Sequence, residues 1–206
     1  DRQGIPLIMH VTPADVGAAE TITQSIIVVR GQRVLLERRP PTGIWGGLLC
    51  LPYWTGAMTP YWDGHARGAF VGLSGVHGKA HMYRAVLEGI ASGTAHVLDT
   101  YRDLDAFPHR ILAVGGGTKN AVWMQATSDI SGTGQIVCEK TVGASYGDAF
   151  LAAVAAGHAM PEQIAEWNPV ARIVQPEDVP AYRRQYPLFK ALYRQTKDIA
   201  HALGAG

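Results

Sequence analysis

The sequence predicts an α/β fold in which helices join strands that run parallel in one sheet. Two successions of helix and strand carry this prediction: residues 79–98 precede the apolar run 111–114, and residues 120–130 precede the run 135–138. The helical segments repeat apolar residues every three or four positions, and the runs are short and rich in aliphatic residues. With 206 residues, 47% of them hydrophobic, the chain is long enough to bury a substantial core.

The composition of the chain limits which partners it can bind and in which cellular compartment it can reside. Charged residues make up 17% of the chain and the net charge is +1, so bulk charge indicates no broad polyanionic partner. The two cysteines, Cys50 and Cys138, lie far apart without CxxC spacing, which favours buried thiols in a reducing cytosol. No apolar stretch reaches the roughly 18 to 20 residues that a membrane helix needs, and no signal pattern opens the chain. We expect a soluble, cytoplasmic protein without a membrane partner.

In the first third of the chain we expect strands, a short helix and a hairpin. Residues 4–11 are largely apolar and residues 16–22 contain alanines, which predicts a strand followed by a short helix. Two aliphatic runs within residues 24–37 flank an Arg-Gly-Gln-Arg turn, a pattern typical of a β-hairpin. Residues 48–51 predict a short extended piece, and residues 69–73 predict a buried strand.

The later elements are mainly helices. The segment 79–98 is predicted as one long helix, in which Arg84 and Glu88 form an i, i+4 charge pair. Residues 145–157 are rich in alanine and end at glycine, which predicts another helix. The tail, residues 187–203, is expected to pack back on the domain as a helix. Its expected apolar face consists of Leu188, Leu192, Ile199 and Leu203.

The sequence GGGTKN at residues 115–120 is the strongest candidate for a ligand site. It follows the strand at 111–114 and opens the helix at 120–130, so bare backbone meets a helix N-terminus. Glycines let a phosphate or a flat nucleoside approach the main chain, and unpaired N–H groups favour anions. A nucleotide is therefore the predicted ligand. A tight turn without any ligand is the alternative, because glycine runs often follow strands.

Other polar groups have structural interpretations. Asp63 and Arg67 form a candidate loop pair, for which a structural salt bridge is favoured over a role in chemistry. His77 and His81 stand four residues apart at the start of a helix, where capping or solvent exposure is favoured over a zinc site. Ser74 lacks the GxSxG spacing of a nucleophile elbow. No protein ligands for a metal are predicted.

Five motifs, in order along the chain, resemble the C-terminal half of the FGGY family of carbohydrate kinases. The resemblance covers about residues 48–203 and implies a ribonuclease-H-like, actin-like ATPase domain, an α/β fold with a mixed sheet and helices on both faces. Residues 1–206 are then one actin-like kinase domain in which residues 1–47 are an atypical N-terminal segment. The motifs occupy residues 51–63, 66–73, 83–90, 115–120 and 143–151.

The resemblance also implies an activity, because the family phosphorylates sugars and polyols with ATP and Mg²⁺. It places Gly115, Gly116 and Gly117 against the adenosine and phosphates of ATP. Thr118, in the same turn, is also a candidate nucleotide-binding residue, and Asn120 is expected to contact the adenine end from the first turn of the helix.

A catalytic base is implied near the start of the chain. Residues 4–19 resemble a shortened form of the family segment that carries the catalytic aspartate, which makes Asp15 the candidate base. A helix N-cap after Pro13 is the alternative role for Asp15. The family's N-terminal domain, with a phosphate loop and most of the sugar pocket, is expected to be missing ahead of Asp1. A sugar or polyol would then bind only with a complementary lobe.

A second, shorter resemblance involves residues 28–52, which are similar to the Nudix-like C-terminal domain of A/G-specific adenine DNA glycosylases. The catalytic parts of those enzymes have no counterpart in the sequence, so base excision is not predicted. The arginines of this stretch favour a solvated hairpin edge over contact with nucleic acid. A nonenzymatic α/β scaffold that binds partners or forms homo-oligomers is the main alternative to a kinase. The basic cluster consists of Arg30, Arg33, Arg38 and Arg39.

Overall fold

The computed structural model of the chain describes the backbone of residues 7–10 and all of residues 47–204. Several predictions lie outside the described residues: the helix at 16–22, the hairpin at 24–37 and the position of Asp15.

Strands and α-helices alternate through most of the described part of the chain. The strands are β1 (Leu7–His10), β2 (Leu49–Leu51), β3 (Ala69–Val71), β4 (Ile111–Val114), β5 (Gln135–Cys138) and β6 (Val170–Val174). The α-helices are α1 (Lys79–Asp103), α2 (Ala121–Ser131), α3 (Ala144–Ala155), α4 (Ile164–Trp167) and α5 (Pro180–Gly204). The predicted helices at 79–98, 120–130 and 145–157 are confirmed. None of the described helices combines the length and the apolar character that crossing a membrane requires.

Four strands form the main sheet in the order β1, β4, β5, β6. β4 pairs in parallel with β1 and with β5, so that His10 lies opposite Val114 and Ala113 lies opposite Val137. The predicted parallel crossover through a helix is therefore confirmed for β4, α2 and β5. β6, which the sequence analysis did not predict, runs antiparallel to β5 and makes the sheet mixed. Four of its five residues are exposed, so no alternation of buried and exposed positions marks this segment as a strand.

β2 and β3 form a separate antiparallel pair, in which Cys50 lies opposite Phe70. The strand predicted at residues 69–73 is present as β3, but it ends at Val71 and it is not buried, since Val71 is 41% exposed. β2 packs between α1 and α5, which buries Cys50 and Leu51. β3 is less buried than β2, with two half-buried residues and one exposed residue.

The core lies between the helices and one face of the main sheet. Tyr83 and Leu87 of α1 pack against Trp123 and Ala126 of α2, and Tyr182 of α5 joins the same cluster. The predicted pair on α1 is present, with Nε of Arg84 lying 2.6 Å from Oε1 of Glu88. A second cluster fixes α2 on the main sheet and consists of Ala113, Met124, Val137 and Val174.

The C-terminal helix α5 begins at Pro180, before the predicted start at residue 187, and it continues through Pro187. Its predicted apolar face is wrong except at Leu192. Tyr182, Phe189 and Tyr193 take the buried positions together with Leu192. Tyrosine rings can replace aliphatic residues at these positions because each hydroxyl finds a partner inside the protein. The exposed residues of the predicted face are Leu188, Ile199 and Leu203.

Candidate functional site

The glycine turn, which we define as residues 115–120, lies at the carboxyl edge of the parallel strands. β4 ends at Val114, whose partner on β1 is His10. Gly115 has a φ of 91°, in the left-handed region that favours glycine. Its N–H donates to the carbonyl oxygen of Thr141 at 2.8 Å. The turn therefore connects the end of β4 with the loop that follows β5, at the edge where open α/β sheets bind ligands.

The turn forms a short 3₁₀ helix, Gly116–Lys119, before α2 begins. The hydroxyl and the N–H of Thr118 both donate to the carbonyl oxygen of Gly115, at 2.7 and 3.3 Å. Gly117 and Thr118 are buried, whereas Gly116 is exposed. Within the described part of the chain, the N–H groups of Gly116 and Gly117 have no backbone acceptor. Such groups can donate to phosphate or ribose oxygens.

Gly117 is required by packing whether or not the turn binds a ligand. A Cβ atom at this position would lie 2.6 Å from Cζ3 of Trp123, which is closer than real Cβ contacts. Trp123 is buried in the cluster between α1 and α2 and has little room to move. Close packing, the alternative considered for the glycine run, therefore accounts for glycine at position 117.

Asn120 is the N-cap of α2. Its Oδ1 accepts the backbone N–H of Trp123 at 3.1 Å, and its Nδ2 donates to the hydroxyl of Tyr83 at 2.9 Å. A third contact reaches the turn from β6, where Nη2 of Arg172 donates to the carbonyl oxygen of Thr118 at 2.8 Å. The sequence analysis missed Tyr83 and Arg172. They lie 37 and 54 residues from their partners, and no local pattern indicates such pairs.

Helix α3 begins close to the turn. Its N-cap, Gly143, has a φ of 81° and follows the loop that binds Gly115. Phe150 is the one buried residue of α3, and its ring packs against Trp167 at 5.1 Å between centroids. Leu151 is 65% exposed. The described part of the chain therefore leaves an apolar face of α3 uncovered.

The predicted pair between Asp63 and Arg67 is wrong. Oδ2 of Asp63 accepts the hydroxyl of Tyr193 at 2.6 Å and lies 2.7 Å from Nε2 of His201. Arg67 donates instead to the carbonyl oxygens of Gly64 and Ala66. The hydrogen bond from Tyr193 is the main cause that holds the pKa of Asp63 well below its usual range, with help from His201 and against the effect of burial.

His81 caps the start of α1, as the sequence analysis favoured, whereas His77 holds the turn that precedes the helix. Nδ1 of His77 accepts the N–H of Ser74 at 2.9 Å, and Nδ1 of His81 accepts the N–H of Gly78 at 3.0 Å. Among the described residues, no group of three or more His, Cys, Asp or Glu side chains is placed to hold a metal ion. The prediction of two buried thiols is confirmed.

Comparison with known proteins defines the class to which this fold and this turn belong. The model of the FGGY family of carbohydrate kinases, C-terminal domain, matches residues 18–156. The match covers well over half of the chain, so the chain belongs to this family. The resemblance drawn from the five motifs is confirmed.

Relatives within the family include kinases of two kinds of substrate. The chain is 34% identical over 161 residues to the xylulose kinase of Bacillus subtilis (strain 168), covering 76% of this chain and 32% of that protein. It is 35% identical over 133 residues to the glycerol kinase of Clostridium beijerinckii, covering 64% of this chain and 27% of that protein. The chain thus spans about a third of the length of the curated relatives it matches.

The structural comparison supports the same class. The crystal structure of xylulose kinase from Rhodospirillum rubrum superposes with a TM-score of 0.71 at 28% identity, covering 90% of this chain and 38% of that chain. The predicted actin-like α/β fold with a mixed sheet is therefore confirmed. The likeness of residues 28–52 to adenine DNA glycosylases receives no support from the family match or from these relatives.

Proposed function

We propose that this chain is the ATP-binding half of a carbohydrate kinase, which transfers the γ-phosphoryl group of ATP to a hydroxyl group of a sugar or polyol. One observation carries the proposal: in a chain of the FGGY family, the glycine turn lies at the carboxyl edge of the parallel strands. We further propose that residues 1–206 fold as a single actin-like domain, on which α5 packs as the C-terminal helix.

Each residue of the turn has a proposed role toward the nucleotide. Gly115, Gly116 and Gly117 form the surface against which the adenosine and phosphates lie, and the N–H groups of Gly116 and Gly117 are the available donors. Thr118 keeps the turn closed through its hydrogen bonds to Gly115. Asn120 contacts the adenine end with the part of its amide that Trp123 and Tyr83 do not use.

Asp15 is the proposed catalytic base. β1 ends at His10, opposite the last residue of β4, so Asp15 follows the same sheet edge within a chain length of at most about 18 Å. A carboxylate there can accept the proton of the sugar hydroxyl as its oxygen attacks the γ-phosphorus and ADP leaves. Mg²⁺, bound by ATP phosphates and water, would neutralise charge on the transferred group.

The carbohydrate requires a complementary lobe in this proposal. The relatives named above are xylulose and glycerol kinases, so a pentulose and a polyol are the first substrates to test. The exposed apolar face of α3, which begins near the glycine turn, is a suitable surface for that lobe. Homo-oligomer formation remains a prediction, as does the absence of a nucleic-acid partner.

Calorimetric titration of ATP with Mg²⁺ tests the proposal on the chain itself. The variant Gly116→Val adds a branched side chain at the exposed start of the turn, where it should block approach to the main chain. Gly75→Val is the matched control, because Gly75 is exposed and a Cβ there meets no atom within 4 Å. We expect the parent and the control to bind ATP and Gly116→Val to lose at least tenfold in affinity.

The outcomes separate the candidate functions. No binding by folded parent protein would contradict the proposal and favour the nonenzymatic scaffold. Equal binding by all three proteins would place the nucleotide away from the glycine turn. Salt-sensitive DNA binding that disappears on replacing Arg38 and Arg39, without ATP binding, would instead favour the basic hairpin as the functional element.

Release of ADP measures the catalytic part of the proposal. The nucleotide half alone should bind ATP without sugar-dependent ADP release, and a complementary lobe should be needed for turnover. Asp15→Asn should leave ATP affinity unchanged, because Asp15 is proposed to act on the hydroxyl proton. A large loss of ATP affinity in Asp15→Asn would indicate a role in binding Mg²⁺ or in folding instead.

A further inference from the structure

We propose that Tyr83 and Arg172 are positioning residues of the nucleotide site, which hold the glycine turn in its binding shape before the nucleotide arrives. This inference rests on the proposed function and extends it to two residues outside the turn. Tyr83 acts through Asn120, and Arg172 acts through the carbonyl group of Thr118.

The turn needs such support because of its sequence. Three successive glycines have more accessible backbone conformations than any other residues, so an unsupported GGG segment would populate its binding shape only part of the time. A ligand that binds one conformation loses apparent affinity in proportion to the fraction of protein in that conformation. Contacts that fix the turn in the free protein therefore raise affinity without touching the ligand.

Tyr83 supplies a rigid contact on one side of the turn. Its ring is 1% exposed and packs with Leu87 of α1 and Trp123 of α2. Its hydroxyl accepts Nδ2 of Asn120 at 2.9 Å while Oδ1 of the same amide accepts the N–H of Trp123. The oxygen and the nitrogen of the Asn120 amide are thus both hydrogen-bonded, and the amide cannot flip without breaking two hydrogen bonds.

Arg172 supplies the second contact from the sheet. It pairs with Val137 across β5 and β6, so its side chain extends over the face of the sheet that α2 covers. There it donates to the carbonyl oxygen of Thr118 at 2.8 Å. A cation at the carboxyl end of the 3₁₀ helix is favourable. Because no described backbone carbonyl accepts the N–H groups of Gly116 and Gly117 at the opposite end, the contact leaves these groups to the ligand.

The test combines nucleotide affinity with hydrogen exchange at the turn, using the full chain. Tyr83→Phe and Arg172→Gln should each bind both ATP·Mg²⁺ and ADP about five- to tenfold more weakly than the parent, as expected for one lost hydrogen bond. The amides of residues 115–120 should exchange faster in both free variants. Matched controls are Tyr186→Phe, which removes a hydroxyl at Asp99, and Arg183→Gln, which removes an exposed ion pair.

A double-mutant comparison separates positioning from general stability. If Tyr83 acts through Asn120, Tyr83→Phe combined with Asn120→Ala should bind no more weakly than Asn120→Ala alone. Additive losses would overturn that role. For Arg172, a loss much larger for ATP than for ADP would overturn positioning, because it would indicate direct contact with the γ-phosphate.

The remaining outcomes distinguish this inference from the proposed function. Parent protein that binds no nucleotide contradicts the proposed function and the inference with it. Parent and both variants that bind equally leave the proposed function intact and overturn the inference. If Tyr83→Phe does not fold, Arg172→Gln tests positioning by itself, because Arg172 is an exposed residue whose replacement leaves the core intact.

Discussion

The carboxylate of Asp63 accepts the hydroxyl of Tyr193 at 2.6 Å, which links the loop after β2 to the C-terminal helix across 130 residues. Nε2 of His201, about two helical turns further along α5, lies 2.7 Å from the same oxygen. The ring of Tyr193 also stacks on Tyr61 of the loop, with centroids 3.7 Å apart. Loop 52–66 and α5 are therefore held together by one partly buried carboxylate and a pair of rings.

This relationship predicts a pH-dependent contribution to stability. The folded-state pKa of Asp63 lies below the unfolded-state value of about 4, so ionised Asp63 favours the native state at neutral pH. The contribution should decline as the pH falls below about 5 toward the folded-state pKa. We expect Asp63→Asn to melt at a lower temperature than the parent at pH 7 and the difference to shrink at pH 3.

Thermal unfolding followed by circular dichroism between pH 3 and 8 measures this effect. The control is Asp198→Asn, which removes an exposed carboxylate from α5, the helix that Asp63 contacts. A constant difference between the parent and Asp63→Asn at every pH would show that the amide disturbs packing and that ionisation of Asp63 contributes nothing.

Two glycines of α1 should respond in opposite ways to alanine. A Cβ on Gly89 would lie 2.4 Å from the carbonyl oxygen of Cys50, because α1 packs directly on the backbone of β2. Gly89→Ala should therefore lower the free energy of unfolding by about 1–3 kcal/mol. A Cβ on Gly93 meets nothing within 4 Å, so Gly93→Ala should raise it by about 0.5–1 kcal/mol. Urea denaturation measures both, and equal effects would contradict the predicted contact.

Substitution of Gly117 should affect stability without any nucleotide. Gly117→Ala would force its Cβ against the buried ring of Trp123, with an expected cost of about 1–3 kcal/mol in the free energy of unfolding. Gly147→Ala on α3, where a Cβ meets no atom within 4 Å, is the control. A fully stable Gly117→Ala variant would indicate that the turn is less tightly packed than the structure shows.

Both cysteines are buried, but their thiols should differ in the rate at which they are alkylated. Burial raises the pKa of Cys50 to about 12, which leaves about one thiol in ten thousand ionised at pH 8. Burial also raises the pKa of Cys138, although this side chain is slightly more exposed. Under native conditions we expect no alkylation of Cys50 and slow alkylation of Cys138. Rapid labelling of Cys50, detected by peptide mass spectrometry, would contradict its burial beneath α1.

Several elements could be predicted from local patterns. The long helix α1 follows from apolar spacing and from the pair of Arg84 and Glu88, and the strands at 111–114 and 135–138 follow from short aliphatic runs. These features depend on residues within a few positions of one another. The motifs that identified the family are equally local and ordered along the chain.

The errors arose where aromatic residues and distant partners decide burial. The aliphatic stripe of the tail predicted the wrong face of α5, because Tyr182 and Tyr193 can bury their rings once α1 and the loop supply partners for their hydroxyls. Asp63 was paired with the nearest arginine in sequence, whereas the fold brings His201 closer.

The sequence by itself determined the order of helices and strands, the family, and the glycine turn as the candidate site, because each depends on spacing between near neighbours. The tertiary structure alone decided that β6 closes the sheet antiparallel to β5, that Trp123 requires glycine at position 117, and that Tyr83 and Arg172 contact the turn. Those contacts join residues on different elements, and their energies depend on geometry that exists only after the elements have packed.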